Sequence, residues 1–296
     1  PSLLIFGAPY DATTSQSLPL RAYPQVKMAK YFGDIAKGCK DILSGGISYD
    51  NKFNVSTKVG GHSVKADIVS KGVDVTASAT GTYAIAKDFT ADCTVNEKGD
   101  VKGTMAHAGL VKGLRTTVSG EPANAAKTLK VANQFLHGPV GVKLDVSGVV
   151  SGAPKVDMSA LWNVGQWSLG AETAVGKNGV ANYALAAQTK IDDVVAAIVL
   201  ADKLETLKAS ATYKLDSNTS LAAEAVYKLK SRDLKVCAGV ATTLENGHAA
   251  RAVLSSSGNA QVTYSGEVTK GLQGTACAQV DQALKYKYGL QFNYKM

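Results

Sequence analysis

The stretch Leu284-Lys285-Tyr286-Lys287-Tyr288-Gly289-Leu290-Gln291-Phe292-Asn293-Tyr294-Lys295-Met296 alternates in type at every step. Leu284, Tyr286, Tyr288, Leu290, Phe292, Tyr294 and Met296 form one set; Lys285, Lys287, Gly289, Gln291, Asn293 and Lys295 form the other. Successive side chains of a strand point to opposite faces, so this segment has one apolar and one polar face. The same period of two returns upstream. Val140, Val142, Leu144 and Val146 alternate with Gly141, Lys143, Asp145 and Ser147, and Leu207 to Leu215 alternates with Lys208, Ser210, Thr212 and Lys214. Leu221 to Leu229 alternates with Ala222, Glu224, Val226 and Lys228; Leu234 to Val240 alternates with Lys235, Cys237, Gly239 and Ala241.

Turn signals separate these runs: Gly60-Gly61, Glu97-Lys98-Gly99, Lys177-Asn178-Gly179, Asp216-Ser217-Asn218, Glu245-Asn246-Gly247 and Ser257-Gly258-Asn259. Counting from turn to turn predicts about nineteen strands over 47–296. That is roughly 13 residues per strand and turn, against about 9–11 for a tilted membrane strand. Proline is absent after Pro154, so nothing there breaks a ladder. A long meander must close into a barrel or expose its edges. A half-buried strand of a soluble sandwich alternates in the same way. The run lengths, the nearly uncharged apolar faces and the strand number favour lipid outside and water inside.

Composition narrows the function. The chain has 296 residues, 45% hydrophobic and 19% charged, with a net charge of +8. The longest apolar run, Val194 to Ala201, is strand-sized; a spanning helix needs about 20 residues. Cys39, Cys93, Cys237 and Cys277 are far apart with no CxxC pair, which points to reduced thiols at an intracellular address and to no zinc site. His62, His107, His137 and His248 are scattered without metal-ligand spacing. Gly170 to Lys177 (GAETAVGK) resembles a phosphate loop but has five residues between its glycines instead of four, and Asn178 stands where Ser or Thr is required. No enzyme, cofactor or metal is expected.

Two segments depart from the strand pattern. Residues 1–27 hold four of the seven prolines and lack periodicity, and are expected to form an irregular extension. Residues 28–46 are expected to form an amphipathic helix and its linker. Phe32, Ile35, Cys39, Ile42 and Leu43 recur on one face; Lys30, Asp34, Lys37 and Asp41 lie opposite, with Lys30/Asp34 and Lys37/Asp41 spaced for weak ion pairs; and Gly45-Gly46 ends the helix. Lysines dominate the polar strand faces: Lys143, Lys208, Lys214, Lys228, Lys235, Lys285, Lys287 and Lys295. In a closed barrel they face the lumen or its rims, where positive charge favours anions. A nucleic-acid site would cluster its basic residues, so no nucleic-acid partner is expected.

Three motifs resemble the mitochondrial porins, the voltage-dependent anion channels of the outer mitochondrial membrane. Phe32-Gly33-Asp34-Ile35-Ala36-Lys37 through Lys40-Asp41-Ile42-Leu43 is similar to that family's N-terminal helix. Gly113-Leu114-Arg115 resembles its Gly-Leu-Lys tripeptide, with Arg for Lys. Lys287, Gly289, Phe292 and Tyr294 match the assembly signal of mitochondrial barrels.

The resemblance covers 28–296. It implies an all-β transmembrane barrel of about nineteen strands, the first and last parallel, with the helix inside the pore. Nineteen is that family's known strand number, so count and resemblance are not independent. It also implies a voltage-gated, weakly anion-selective diffusion pore for ATP, ADP, phosphate and chloride. Lys37 and Lys40 would join the wall lysines in the anion-attracting field, while Phe32, Ile35, Ile42 and Leu43 would pack on the wall. The implied partners are the bilayer, the anions in transit and a second copy in a homo-oligomer. The family's glycine-rich linker is shortened here to Gly45-Gly46. Some members carry a membrane-facing Glu on the fourth strand, and Asp92 and Cys93 stand in that neighbourhood. The alternatives are the mitochondrial protein-import channel, whose lumen would be acidic for basic presequences, and a soluble β-sheet binding protein.

Overall fold

The computed structural model describes residues 29–45 and 48–296. The extension expected over 1–27 lies outside them, as do Met28, Gly46 and Ile47. Nineteen strands follow one another: β1 Asn51–Val59, β2 His62–Lys71, β3 Asp74–Ala86, β4 Phe89–Asn96, β5 Val101–His107, β6 Leu114–Gly120 and β7 Lys130–His137. Next come β8 Val140–Ser147, β9 Lys155–Val164, β10 Trp167–Gly176, β11 Gly179–Ile191, β12 Val194–Ala201 and β13 Thr206–Lys214. Then follow β14 Thr219–Lys228, β15 Asp233–Thr243, β16 Ala249–Ser255, β17 Ala260–Thr269, β18 Leu272–Val280 and β19 Tyr286–Lys295. Each pairs antiparallel with its neighbour in sequence, and β1 closes the sheet by pairing parallel with β19, Phe53 opposite Phe292. The mixed nineteen-strand barrel is the architecture that the alternation and the resemblance together imply. Rim I is the end at which β1 starts, and rim II the end at which it finishes.

The closing seam explains a glycine in the C-terminal stretch. A Cβ on Gly289 would lie 2.5 Å from Ser48 O and 2.7 Å from Tyr49 Cα, so the chain entering β1 fits only over glycine. Asn51 Oδ1 accepts from the Leu290 N–H at 3.1 Å, and Asn54 Nδ2 donates to Asn293 Oδ1 at 2.6 Å across the same seam.

Two expectations need correction, and one connection goes beyond what the turn signals indicate. The predicted single helix is two pieces: a 3-10 turn, Phe32–Asp34, and α1, Lys37–Leu43. Ala36 between them is left-handed at φ 58°, and its N–H donates 2.8 Å to Gln188 Oε1 on the wall rather than to its own helix. Asp34 caps the turn, accepting from the Lys30 and Tyr31 N–H groups, instead of pairing with the Lys30 ammonium. β19 starts at Tyr286, because Leu284 is left-handed at φ 58° in the preceding turn; Lys285 therefore sits in that turn at rim I, its N–H on Asp281 Oδ1. Finally, the β6–β7 connection is partly helical: a 3-10 turn Pro122–Asn124 runs into the short α2, Ala125–Thr128. Thr128 Oγ1 ties it together, accepting from the Glu121 N–H and donating to Asn124 O.

Among the described residues no helix is long and apolar enough to cross a membrane; the strands carry an apolar surface outward instead. Leu144, Val146, Trp162, Leu169, Leu185, Ile198, Tyr213, Val236 and Tyr288 all stand on the side away from the helical segment. Most are well exposed, as suits contact with lipid rather than water.

Candidate functional site

The helical segment fixes which face is the lumen. Phe32, Ile35 and Ala36 are buried against Leu161, Ala184, Ala186 and Ala197 of β9, β11 and β12. Cys39, Ile42 and Leu43 are buried against Ala222 and Val253 of β14 and β16. Small wall residues make the approach close. A Cβ on Gly170 would lie 2.8 Å from the Phe32 ring, one on Gly239 would lie 3.0 Å from Leu43, and one on Gly141 would strike Lys30 O. The segment thus lies along the β8–β16 arc of the inner wall and leaves the β1–β7 arc open.

Polar bonds fasten it along its length. Asn163 Nδ2 donates to Ala29 O at 3.0 Å, Gln188 accepts from Ala36, and Cys39 Sγ donates to Ala223 O at 3.4 Å. Arg251 Nη1 donates 2.8 Å to Asp41 O, a carbonyl in the last turn of α1, where a cation is doubly favourable. Arg251 Nη2 reaches Thr263 Oγ1 at 3.3 Å, which anchors the guanidinium to the wall. Burial pushes the Cys39 thiol up to about 11, with the nearby Glu224 carboxylate adding to the rise. Sequence spacing gave the apolar face of this segment but not Asn163, Gln188 or Arg251. Their inward orientation could be read from the alternation; their partners are more than 130 residues away along the chain.

Register carries the facing around the barrel. Lys143, Lys208, Lys214, Lys228, Lys235, Lys287 and Lys295 all stand on the lumen side of their strands. Lys143 Nζ lies 4.4 Å over the Tyr31 ring, so this ammonium is partly engaged by the helical segment. Lys37 and Lys40 are exposed on the lumen face of α1. The open arc adds inward bases that alternation alone does not single out: Lys52, Lys58, Lys65, Lys102, Arg115 and Lys130. Their strands alternate less cleanly, since Thr and Ser appear on both faces.

The lumen also holds acids. Lys65 pairs with Asp67 at 2.6 Å, Lys130 with Asp145 at 2.7 Å and Lys155 with Asp157 at 3.1 Å. Asp92 faces inward opposite Thr82, whereas Cys93 faces outward between Gly81 and Gly103. Neither residue puts a carboxylate on the outer face at that point.

The remaining motifs resolve structurally. Gly113 has φ +86°, and a Cβ there would fall 2.1 Å from Leu136 O; its carbonyl accepts from the Leu136 N–H at 2.9 Å, so the tripeptide forms a tight entry into β6. Leu114 then faces outward beside Phe135, and Arg115 inward beside Gln134. Gly170 to Gly176 lies within strand β10, with a register shift at Ala174/Val175, and is not a phosphate loop. Cys39, Cys93, Cys237 and Cys277 are all free thiols.

A porin from japonica rice, mitochondrial outer membrane protein porin 5, is 28% identical over 246 residues, covering 80% of this chain and 86% of the rice protein. The potato mitochondrial outer membrane protein porin of 36 kDa is 27% identical over 280 residues, 88% of this chain and 99% of that protein. A wheat mitochondrial outer membrane porin is 24% identical over 254 residues, 84% and 91% of the two chains. The model of the eukaryotic porins matches residues 29–289, nearly the whole described barrel. The chain belongs to the eukaryotic porin family.

Proposed function

We propose that this chain is a diffusion pore of the mitochondrial outer membrane, weakly selective for anions and gated by voltage. As a eukaryotic porin it is a channel and not an enzyme. The observation that carries the reading is the closed nineteen-strand barrel, whose outer face is apolar and whose inner face is polar and rich in lysine. The relatives' names supply the membrane. The unpaired lumen cations raise the local concentration of ATP, ADP, phosphate and chloride. Pairing of Lys65, Lys130 and Lys155 with aspartates cancels part of that field and keeps the preference weak. A protein-import channel would need an acidic lumen, and the inward rows are basic.

Gating follows from the fastened segment. It carries Lys37, Lys40 and Asp41 into the lumen and is held by a few polar bonds and two apolar clusters. Moving one charge through 100 mV is worth about 2.3 kcal/mol, comparable with breaking one or two such bonds. Lys285 and Lys287 near rim I, and Lys214 near rim II, extend the positive field to the two mouths. The test is release of trapped ATP from liposomes holding the refolded protein. Rapid release that falls when Lys65, Lys102 and Arg115 are all changed to Glu supports the reading; release unaffected by that reversal contradicts it.

A further inference from the structure

All four histidines lie at rim II and point outward, each beside an aromatic ring. His62 lies 5.6 Å from Tyr83, His107 6.0 Å from Phe89 and His137 6.1 Å from Phe135, this last pair stacked. His248 Nδ1 is 2.6 Å from Tyr264 Oη. Both tryptophans, Trp162 and Trp167, are on the outer face of the same rim. The outward positions next to rim I, such as Val75, Val101, Val180, Leu200 and Leu207, carry neither imidazole nor indole.

The arc from β2 to β7 is the most polar part of this belt. It holds His62, His107 and His137, with Lys87 and Lys112 in its rim II turns and Asp88 the one acid in those turns. One row of the outer face there is polar across three strands: His107 opposite Thr116, and Thr116 opposite Asn133. Thr116 Oγ1 donates to Asn133 Oδ1 at 2.8 Å, which leaves the Asn133 amide hydrogens facing outward. On a lipid-facing surface such donors cost free energy unless they meet an acceptor. Across the rim, the acids Asp192, Asp193, Asp216 and Glu245 occupy the turns between β11 and β16.

We propose that the β2–β7 arc of rim II is a docking surface for anionic phospholipid headgroups, whose phosphates accept from these imidazoles, from Asn133 and from the Lys87 and Lys112 ammonium groups. The match is one of charge and depth. The three imidazoles stand at strand ends beside the turn lysines and are flanked by aromatic rings, the level at which a headgroup lies, and Asn133 stands four residues deeper on β7 than His137. The acidic arc opposite gives the barrel a preferred lipid side. This docking needs only that the barrel sits in a bilayer and does not depend on selectivity or gating.

The test is lipid association in vesicles of phosphatidylcholine with spin-labelled phosphatidylserine or spin-labelled phosphatidylcholine as probe. The wild-type barrel should hold the serine lipid about fivefold more tightly than the choline lipid. The combined variant His62→Leu, His107→Leu, His137→Leu should abolish most of that preference, whereas Lys285→Gln at rim I should leave it. Should the triple variant not fold, Lys112→Gln, in a turn, should by itself lower the ratio. A ratio near one for the wild type, or a preference that survives both sets of changes, overturns the proposal. Conductance of the same preparations reports separately on the pore.

Discussion

Arg251→Ala is the sharpest perturbation of the internal segment. The guanidinium bridges the last turn of α1 to the wall through Asp41 O at 2.8 Å and Thr263 Oγ1 at 3.3 Å. A hydrogen bond to a charged group contributes about 1.5–3 kcal/mol. Here the lower figure applies, because Asp41 O is exposed and water can replace the lost donor. A loss of about 1.5 kcal/mol raises the detached fraction of the segment roughly tenfold. Cys39 reads that fraction: it is 1% exposed, and its thiol is held unreactive by burial, so a soluble maleimide reaches it only when the segment lifts off. The assay is the rate of Cys39 labelling in a background of Cys93→Ser, Cys237→Ala and Cys277→Ser. Arg251→Ala should speed it about tenfold, Arg251→Lys less, and Thr263→Val least. An unchanged rate in Arg251→Ala would refute the clamp.

Three further outcomes are expected. Leu144→Arg and Val236→Arg face lipid and should hinder membrane assembly by about 2–4 kcal/mol each, while inward Lys143→Glu and Lys235→Glu should assemble normally and lower anion preference; heat-modifiable migration on gels and reversal potentials read the two effects. Gly289→Val should block closure of the seam, since its side chain would overlap Ser48 and Tyr49, whereas outward Leu290→Val should assemble; yield of folded barrel in detergent decides. The third concerns Asp216 in the β13–β14 turn, where the Asn218 and Thr219 N–H groups each donate to Oδ1 at 2.6 Å and hold the carboxyl below the usual range. A depressed carboxylate contributes order that is present above its ordinary value of about 3.9 and is lost as pH falls through the lower folded value. Exchange of the Asn218 and Thr219 amides, corrected for intrinsic rate, should therefore quicken below that range, and Asp216→Ala should remove the dependence.

The barrel was legible because lipid outside and water inside impose a period of two on every strand, and turn residues punctuate it. Lys143 and Lys235 could be oriented from their neighbours alone. The break at Ala36 was not legible, because its cause is the Gln188 side chain on β11, remote in sequence. Alternation alone starts β19 two residues early, because Leu284 and Lys285 continue it although the backbone there has turned. The bases of the open arc escape the alternation for a related reason. Around Lys65 and Lys102, Thr, Ser and Gly blur the difference between faces, and only pairing with neighbouring strands settles it. The clustering of the histidines at one rim was equally hidden, since it depends on which turns fall at the same end of the barrel.

The central claim is that a basic lumen makes this barrel an anion-preferring pore. Reversal potential of single channels in a planar bilayer under a potassium chloride gradient tests it most directly. The account predicts a large conductance whose reversal potential lies on the chloride side, moves toward zero with Lys65→Glu and Lys102→Glu, and falls in steps at either polarity of a voltage ramp. A reversal potential on the potassium side, or one that those substitutions leave in place, would contradict it.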